Sequence, residues 1–343
     1  MLARTPALAL AALSCLVGCD SDLPTMDDAG ADTVALDAGY DAGVDAGAPI
    51  DAGPPAPAAL SETGLFETGA SGAYADDVLS FSVRYPLWTD GADKRRHLRL
   101  PEGTSIDTSD PDQWAFPVGT RLYKEFVVDG VPVETRLLWK TGPGPLDWVY
   151  VAYLYRDDGS EADAVPDGQP DARGTDHDVP PTADCRSCHL GGGDFVLGLG
   201  AFQLDRATYD AWIASGALPP GTAWQEPPGD DTQREALGYL HGNCGHCHGG
   251  PHPIAERRSL RLRLPVGVSD PYEAPAWATA ANVTAFHDIE GTTEIIAVGD
   301  PDASQLYVRM GLRGDLGMPP FGTEIADEAA RAVIRDWITA AAP

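Results

Sequence analysis

Basic residues are scarce in this chain. It has 23 Lys and Arg against 52 Asp and Glu, a formal charge of −29. Phosphate-mediated binding of DNA or RNA needs a basic face, so no nucleic-acid partner is expected. A polybasic contact with anionic lipid is excluded on the same ground. A long apolar run is also missing: the stretch 7–17 is too short to span a bilayer and remain there. No glycine-rich phosphate loop, dinucleotide fingerprint, G-x-S-x-G or H-E-x-x-H occurs, which leaves hydrolase and nicotinamide chemistry without support. Long helical bundles are disfavoured by 38 Gly and 30 Pro among 343 residues, which predict many turns and loops. That length allows two domains, or three, at ~100–200 residues each.

What is present begins with a leader. Residues 1–18 carry one early charge, Arg4, then the short apolar run, then Leu16-Val17-Gly18-Cys19. This reads as a secretory signal. Its last four residues resemble the lipobox of bacterial lipoproteins, in which the signal is cut before the cysteine and Cys19 takes the lipid. Residues 19–60 follow as an Asp-Ala-Gly-rich tether: the tripeptide occurs five times, and the only aromatic is Tyr40. Such a segment buries too little apolar surface to offset the ordering of its backbone, so disorder is expected. Membrane attachment through the N-terminal lipid and an exported location follow, in the periplasm or at the cell surface of a Gram-negative bacterium.

Only six cysteines occur. Cys15 leaves with the signal and Cys19 carries the lipid. The other four make Cys185-Arg186-Ser187-Cys188-His189 and Cys244-Gly245-His246-Cys247-His248. C-x-x-C-H is the attachment signature of c-type haem. Two thiols one helical turn apart share a face and can add across the two porphyrin vinyl groups. The histidine one residue on continues that face and ligates the iron. Structural zinc fits poorly, because 55 residues separate the pairs. A redox dithiol leaves the repeated histidine unexplained, and two disulfides remain compatible with export. The expectation is two covalent haems c, on Cys185 and Cys188 and on Cys244 and Cys247, with His189 and His248 as proximal ligands.

Residues 61–180 read as β-rich. Runs at 78–85, 121–128, 131–139 and 147–155 carry strand composition. Asp129-Gly130 between two of them predicts a type I′ hairpin, and Pro132 an edge strand or a strand beginning. The expected architecture is an antiparallel sandwich or barrel. Residues 156–178 are rich in Asp; their order departs from an EF-hand, so a solvated loop is expected over a calcium site. Lys94-Arg95-Arg96, with His97 and Arg99, reads as a solvated basic strand, with haem propionates or an anionic partner as the alternative. Helical spacing places Leu237, Leu240, Cys244 and Cys247 on one stripe, and Ala330, Val333, Ile334, Trp337 and Ile338 on another. Asp327 or Ala326 opens the second helix, with Glu328 in its first turn. The fold class is therefore α+β and multidomain. A β domain (61–180) precedes a first haem segment (181–230) and a mostly helical region (231–343).

Residues 231–343 resemble a class I cytochrome c domain. A helix runs into Cys244-Cys247-His248, Gly317-Met318-Pro319-Pro320 matches the methionine loop, and a helix over 325–342 matches the closing element. The resemblance implies Met318 as distal ligand of the second haem. The whole body resembles a poorly characterised family of exported two-haem c-type cytochromes. The matching elements are Tyr85-Pro-Leu-Trp-Thr-Asp-Gly-Ala92 with Lys94-Arg95, Val196-Leu-Gly198, Gln203-Leu204 and Ala236-Leu-Gly-Tyr-Leu-His-Gly-Asn-Cys244. Electron transfer with a redox partner protein is what this implies.

The first haem has no obvious sixth ligand: no Met or His lies between His189 and Thr232. His177, His241, His252, His287 and Met310 are the candidates, while His246 is read as a surface residue. A filled sixth position makes an electron carrier. An open one makes a peroxidase-like dihaem enzyme, the rival reading. A third reading is a β-domain binding module with auxiliary haems.

Overall fold

The computed structural model describes residues 55–341, except 191–193, 195, 251 and 321. The leader 1–18, Cys19 and the tether up to residue 54 lie outside the described residues. The described residues belong to one unit, and the architecture is mixed α+β.

Six strands run β1 (Val78–Phe81), β2 (Asp93–Arg99), β3 (Arg121–Val128), β4 (Val131–Lys140), β5 (Trp148–Tyr155) and β6 (Ala162–Ala164). They pair antiparallel in chain order. The hairpin between β3 and β4 is the predicted type I′ turn: Asp129 and Gly130 both have positive φ, and Val128 faces Val131. Pro132 begins an interior strand opposite Val127, where the register shifts, so its missing N–H falls at an irregularity in the ladder.

The expected sandwich or barrel is not what forms. One meander sheet is covered on both faces, and β1 and β6 are unpaired with each other among the described residues. Strand alternation sends Tyr123, Leu137, Val151 and Tyr153 to one face, where Leu60, Leu65 and Phe66 cover them. Leu98 and Leu122 face the other way, against Trp114, Leu204, Trp212 and Leu218. Residues 57–60, expected in the tether, belong to the fold instead. Pro57 O accepts from Tyr153 Oη at 3.1 Å, Ala59 bridges to Asp163, and Leu60 is fully buried. The first strand stops at Phe81 rather than residue 85, because the chain then turns to bond Gln203 and Asp205.

His97 is the clearest correction on the sheet. Read as solvated, it is 2% exposed. Its strand has neighbours on both sides, and the pleat turns alternate residues of the charged run inward. Its ring bonds Ser80 Oγ and Glu125 Oε2, both at 2.9 Å, and Tyr74 donates to the same carboxylate at 2.7 Å.

The helices are α1 (Cys185–Cys188), α2 (Arg206–Ser215), α3 (Asp231–Asn243), α4 (Pro253–Arg257), α5 (Pro275–Ala278), α6 (Gln305–Gly311) and α7 (Glu328–Ala340). A hairpin of β7 (Thr284–Ile289) and β8 (Thr292–Glu294) lies between α5 and α6. Asp230 and Gln233 form a reciprocal capping box that starts α3. Asp327 accepts from Ala330 N at 2.9 Å to start α7. The apolar stripes predicted for these two helices meet in one core, where Leu237 and Leu240 join Ile334, Trp337, Ile338 and Met310. Among the described residues, no helix is long and apolar enough to cross a membrane.

Candidate functional site

Both C-x-x-C-H motifs close with the same backbone bond. His189 N donates to Cys185 O at 3.1 Å, and His248 N donates to Cys244 O at 2.9 Å. Each is an i to i−4 bond; Cys185–Cys188 are helical, whereas the second motif is a hydrogen-bonded turn just past the end of α3 at Asn243. The second turn grows out of α3, since Cys244 N bonds Leu240 O at 2.9 Å. The first is a short helix of its own, and it sits on the sheet: the His189 ring centroid is 5.3 Å from that of Tyr150 on β5.

All four thiols are free of disulfides. Burial pushes Cys188 up to about 11 and Cys244 and Cys247 up to about 12, so the thiols stay neutral. Burial, then the charges of Arg309, His252 and Arg261, pulls His248 down to about 4, so its imidazole is neutral and able to act as a ligand. The Nδ1 of His248 is buried without a hydrogen-bond partner.

The two motifs touch. Ser187, inside the first, presents its carbonyl to Cys247 Sγ at 4.0 Å and to His252 Nε2 at 3.1 Å. His252 Nδ1 accepts from Ile254 N at 3.1 Å, which makes Nε2 the protonated nitrogen that donates to Ser187. His252 is thereby a clamp between the motifs, with both ring nitrogens engaged inside the protein.

The other candidates are dispersed. His177 is buried beside the first motif's sheet face, with Nε2 2.7 Å from Glu134 Oε1. His241 accepts from Leu264 N at 3.1 Å and packs on Phe202. His246, expected at the surface, is half-buried and lines a recess with His241, Trp114 and Arg263. Its Nδ1 is buried without a hydrogen-bond partner. His287 is exposed on β7, and Met310 lies in the helical core. Met318 is half-buried in an extended loop, its N–H bonded to Arg309 O at 2.9 Å. Arg309 also holds Leu316 O at 2.9 Å, and its charge reaches His248. The methionine loop and the second motif therefore share one cation. In the acidic loops at 156–178, Asp163 pairs with Arg156, Asp158 accepts from Ser160 and Asp178 from Asp171 N, while Glu161 accepts from Ser61.

Three supports of this site escaped the sequence reading. Asp194, just after the first motif, forms a buried ion pair with Lys140 and accepts from Phe116 N at 2.8 Å. Residues 85–90 form a strap. Trp88 N bonds Asn243 Oδ1 at 2.7 Å beside Cys244, and Trp88 Nε1 bonds Ile325 O at 2.8 Å. Asp90 accepts from the backbone N–H groups of Glu324 and Ile325. Glycines at 238 and 242 let the strap lie on α3: a Cβ at 238 would overlap the Tyr85 ring, and one at 242 would sit 2.6 Å from Tyr85 O. The sequence signal was the i, i+4 glycine pair, whose partner only the fold reveals.

These residues fit a covalent porphyrin by their donor chemistry: two pairs of neutral, unpaired thiols, each followed by an imidazole on the same turn. Among the described residues, no three His, Cys, Asp or Glu side chains converge as a protein-only metal centre requires. A haem needs only one or two protein ligands, since the porphyrin supplies four. No family model, curated protein or solved structure matches the chain.

Proposed function

We propose that the chain is an exported, lipid-tethered c-type cytochrome that holds two haems and carries electrons between protein partners. The observation that carries this reading is the pair of C-x-x-C-H turns with identical closing bonds, four unpaired thiols and direct contact through Ser187. In this reading Cys185, Cys188 and His189 would hold one haem. Cys244, Cys247, His248 and Met318 would hold the other. A bound haem supplies a one-electron iron couple, and His/Met ligation favours a higher potential.

The chain's own residues do the rest. Burial keeps the His248 imidazole neutral, the state that ligation requires. The strap and Arg309 hold the loop that carries Met318, and His252 fixes one motif against the other. The packing of α3 against α7, with the methionine loop between them in sequence, supports a class I cytochrome c-like arrangement for residues 231–343. Cys19 and the acidic tether would keep this body near a membrane redox partner.

The test is mass. Denatured protein from a host that matures c-type cytochromes is expected to weigh two haems above the apo chain. One haem, or a zinc ion in their place, overturns the proposal.

A further inference from the structure

The basic run on β2 is divided by the pleat. Lys94 and Arg96 point to the face shared with Tyr150, and Arg95, His97 and Arg99 to the other. Register then sets Arg96 opposite Lys124 on β3, and Lys124 opposite Arg136 on β4. Three cations stand in a row across three adjacent strands, an arrangement that repels. All three are half-buried. Their compensation is slight. Arg136 pairs with Glu134, both Nε contacts at 3.0 Å, and lies over Phe126. Arg96 makes one long bond to Lys94 O, at 3.4 Å. No hydrogen bond or ion pair reaches the Lys124 ammonium among the described residues; its nearest support is the Phe126 ring. Lys94 is held elsewhere, by Leu87 O and Thr89 Oγ1 of the strap.

Burial and the neighbouring cations lower Lys124 to about 7, and burial lowers Arg96 to about 10. A chain with so large an excess of carboxylates has left this row with a single one, Glu134. The row lies on the face that receives the first motif. The His189 ring packs at a tilt against Tyr150, two residues along β5 from Ala152, which faces Arg136. His177 meets Glu134, two residues along β4 from Arg136. Cys185 and Cys188 both lie within electrostatic reach of Arg136, and Cys188 within reach of Lys124.

We propose that Arg96, Lys124 and Arg136 bind the propionate carboxylates of the haem carried by Cys185 and Cys188. The inference rests on the two-haem reading. It gives the sheet a function of its own, in which the cation row neutralises the anionic edge of that cofactor and sets its potential, because a nearby positive charge favours the reduced iron.

The experiment uses the haem-loaded protein with Lys124→Met, Arg96→Gln and the conservative Lys124→Arg. Mass first counts haems, so an unloaded wild type refutes the underlying reading rather than this one. With two haems present, a redox titration is expected to show one midpoint falling in Lys124→Met and in Arg96→Gln, with the other unmoved. The propionate-bending band in resonance Raman should shift in both variants and return in Lys124→Arg. Loaded variants with unchanged midpoints and an unchanged band overturn the proposal. So does calorimetric binding of inorganic phosphate to the loaded wild type that is lost in Lys124→Met, which would make the row a site for a free anion. Arg96→Gln keeps the test open if Lys124→Met does not fold.

Discussion

Lys140 and Asp194 pair inside the protein, five residues beyond His189, and Asp194 also accepts from Phe116 N and from Trp148 Nε1 at 3.3 Å. Removing one partner of a buried pair leaves the other charge without compensation, at a cost of about 3–5 kcal/mol. Asp194→Ala is expected to lower the denaturation midpoint by that order. Lys140→Met with Asp194→Leu should recover much of the loss, because neither charge is then buried. His241 gives a pH signature. Burial, then Arg263, pulls it down to about 3, while an unfolded histidine titrates near 6.5. The unfolded chain therefore takes up a proton as pH falls through about 6.5, and the folded chain does not until about 3. Stability is lost as pH falls across that interval, by at most about 1.4 kcal/mol per pH unit. Denaturant midpoints between pH 6.5 and 4 should show this slope, to which the lowered His246 and His248 add, and His241→Gln should reduce it by the His241 share.

The strap connects elements that are distant in sequence. It follows β1, lies on α3 over Gly238 and Gly242, bonds Asn243 next to Cys244, and reaches Ile325 beyond Met318. Gly238→Ala would drive a methyl into the Tyr85 ring, and overpacking of this kind costs about 1–3 kcal/mol. The expected result is a lower thermal midpoint together with a weakened methionine-to-iron band in the red, since the same strap holds the Met318 loop. Met318→Ala should abolish that band outright; its survival would reassign the ligand to Met310. Part of this was legible beforehand. The Asp129-Gly130 turn, the apolar stripes of α3 and α7 and the two C-x-x-C-H spacings are local patterns, and local patterns survive folding. β2 was opaque because four of its seven residues are Lys or Arg and a fifth is His, and only its neighbours on both sides make it an interior strand. The strap and the cation row were opaque for a related reason: each is defined by register between segments far apart in the chain, and a single sequence does not report register.

At the scale of the whole molecule, tether and body separate cleanly in their expected effects. In the proposed reading, Cys19→Ser should move the protein from the membrane fraction to the soluble one with both haems retained, because the described core is built from residue 57 onward; retention after a salt wash would place the membrane contact on the body. In the two-haem reading, the far side of the first haem decides what the body does. His252 is engaged at both nitrogens, Met310 is in the helical core and His287 is exposed on a hairpin. His177 and His241 each have one nitrogen committed to a protein partner. If His177 turned from Glu134 to serve the iron, the carboxylate would keep its pairing with Arg136 but lose one buried hydrogen bond, a rearrangement opposed by about 1.5–3 kcal/mol. A saturated first haem therefore needs either that exchange or the remaining nitrogen of one of these rings, and it would bind carbon monoxide poorly when reduced. The carrier reading expects this result: ferrous protein with little carbon monoxide bound, and His177→Ala or His241→Ala creating a binding site at one haem per chain. Stoichiometric binding by the wild type, lost in His189→Ala and intact in Met318→Ala, would instead give the first haem an open face and make turnover of peroxide the next measurement.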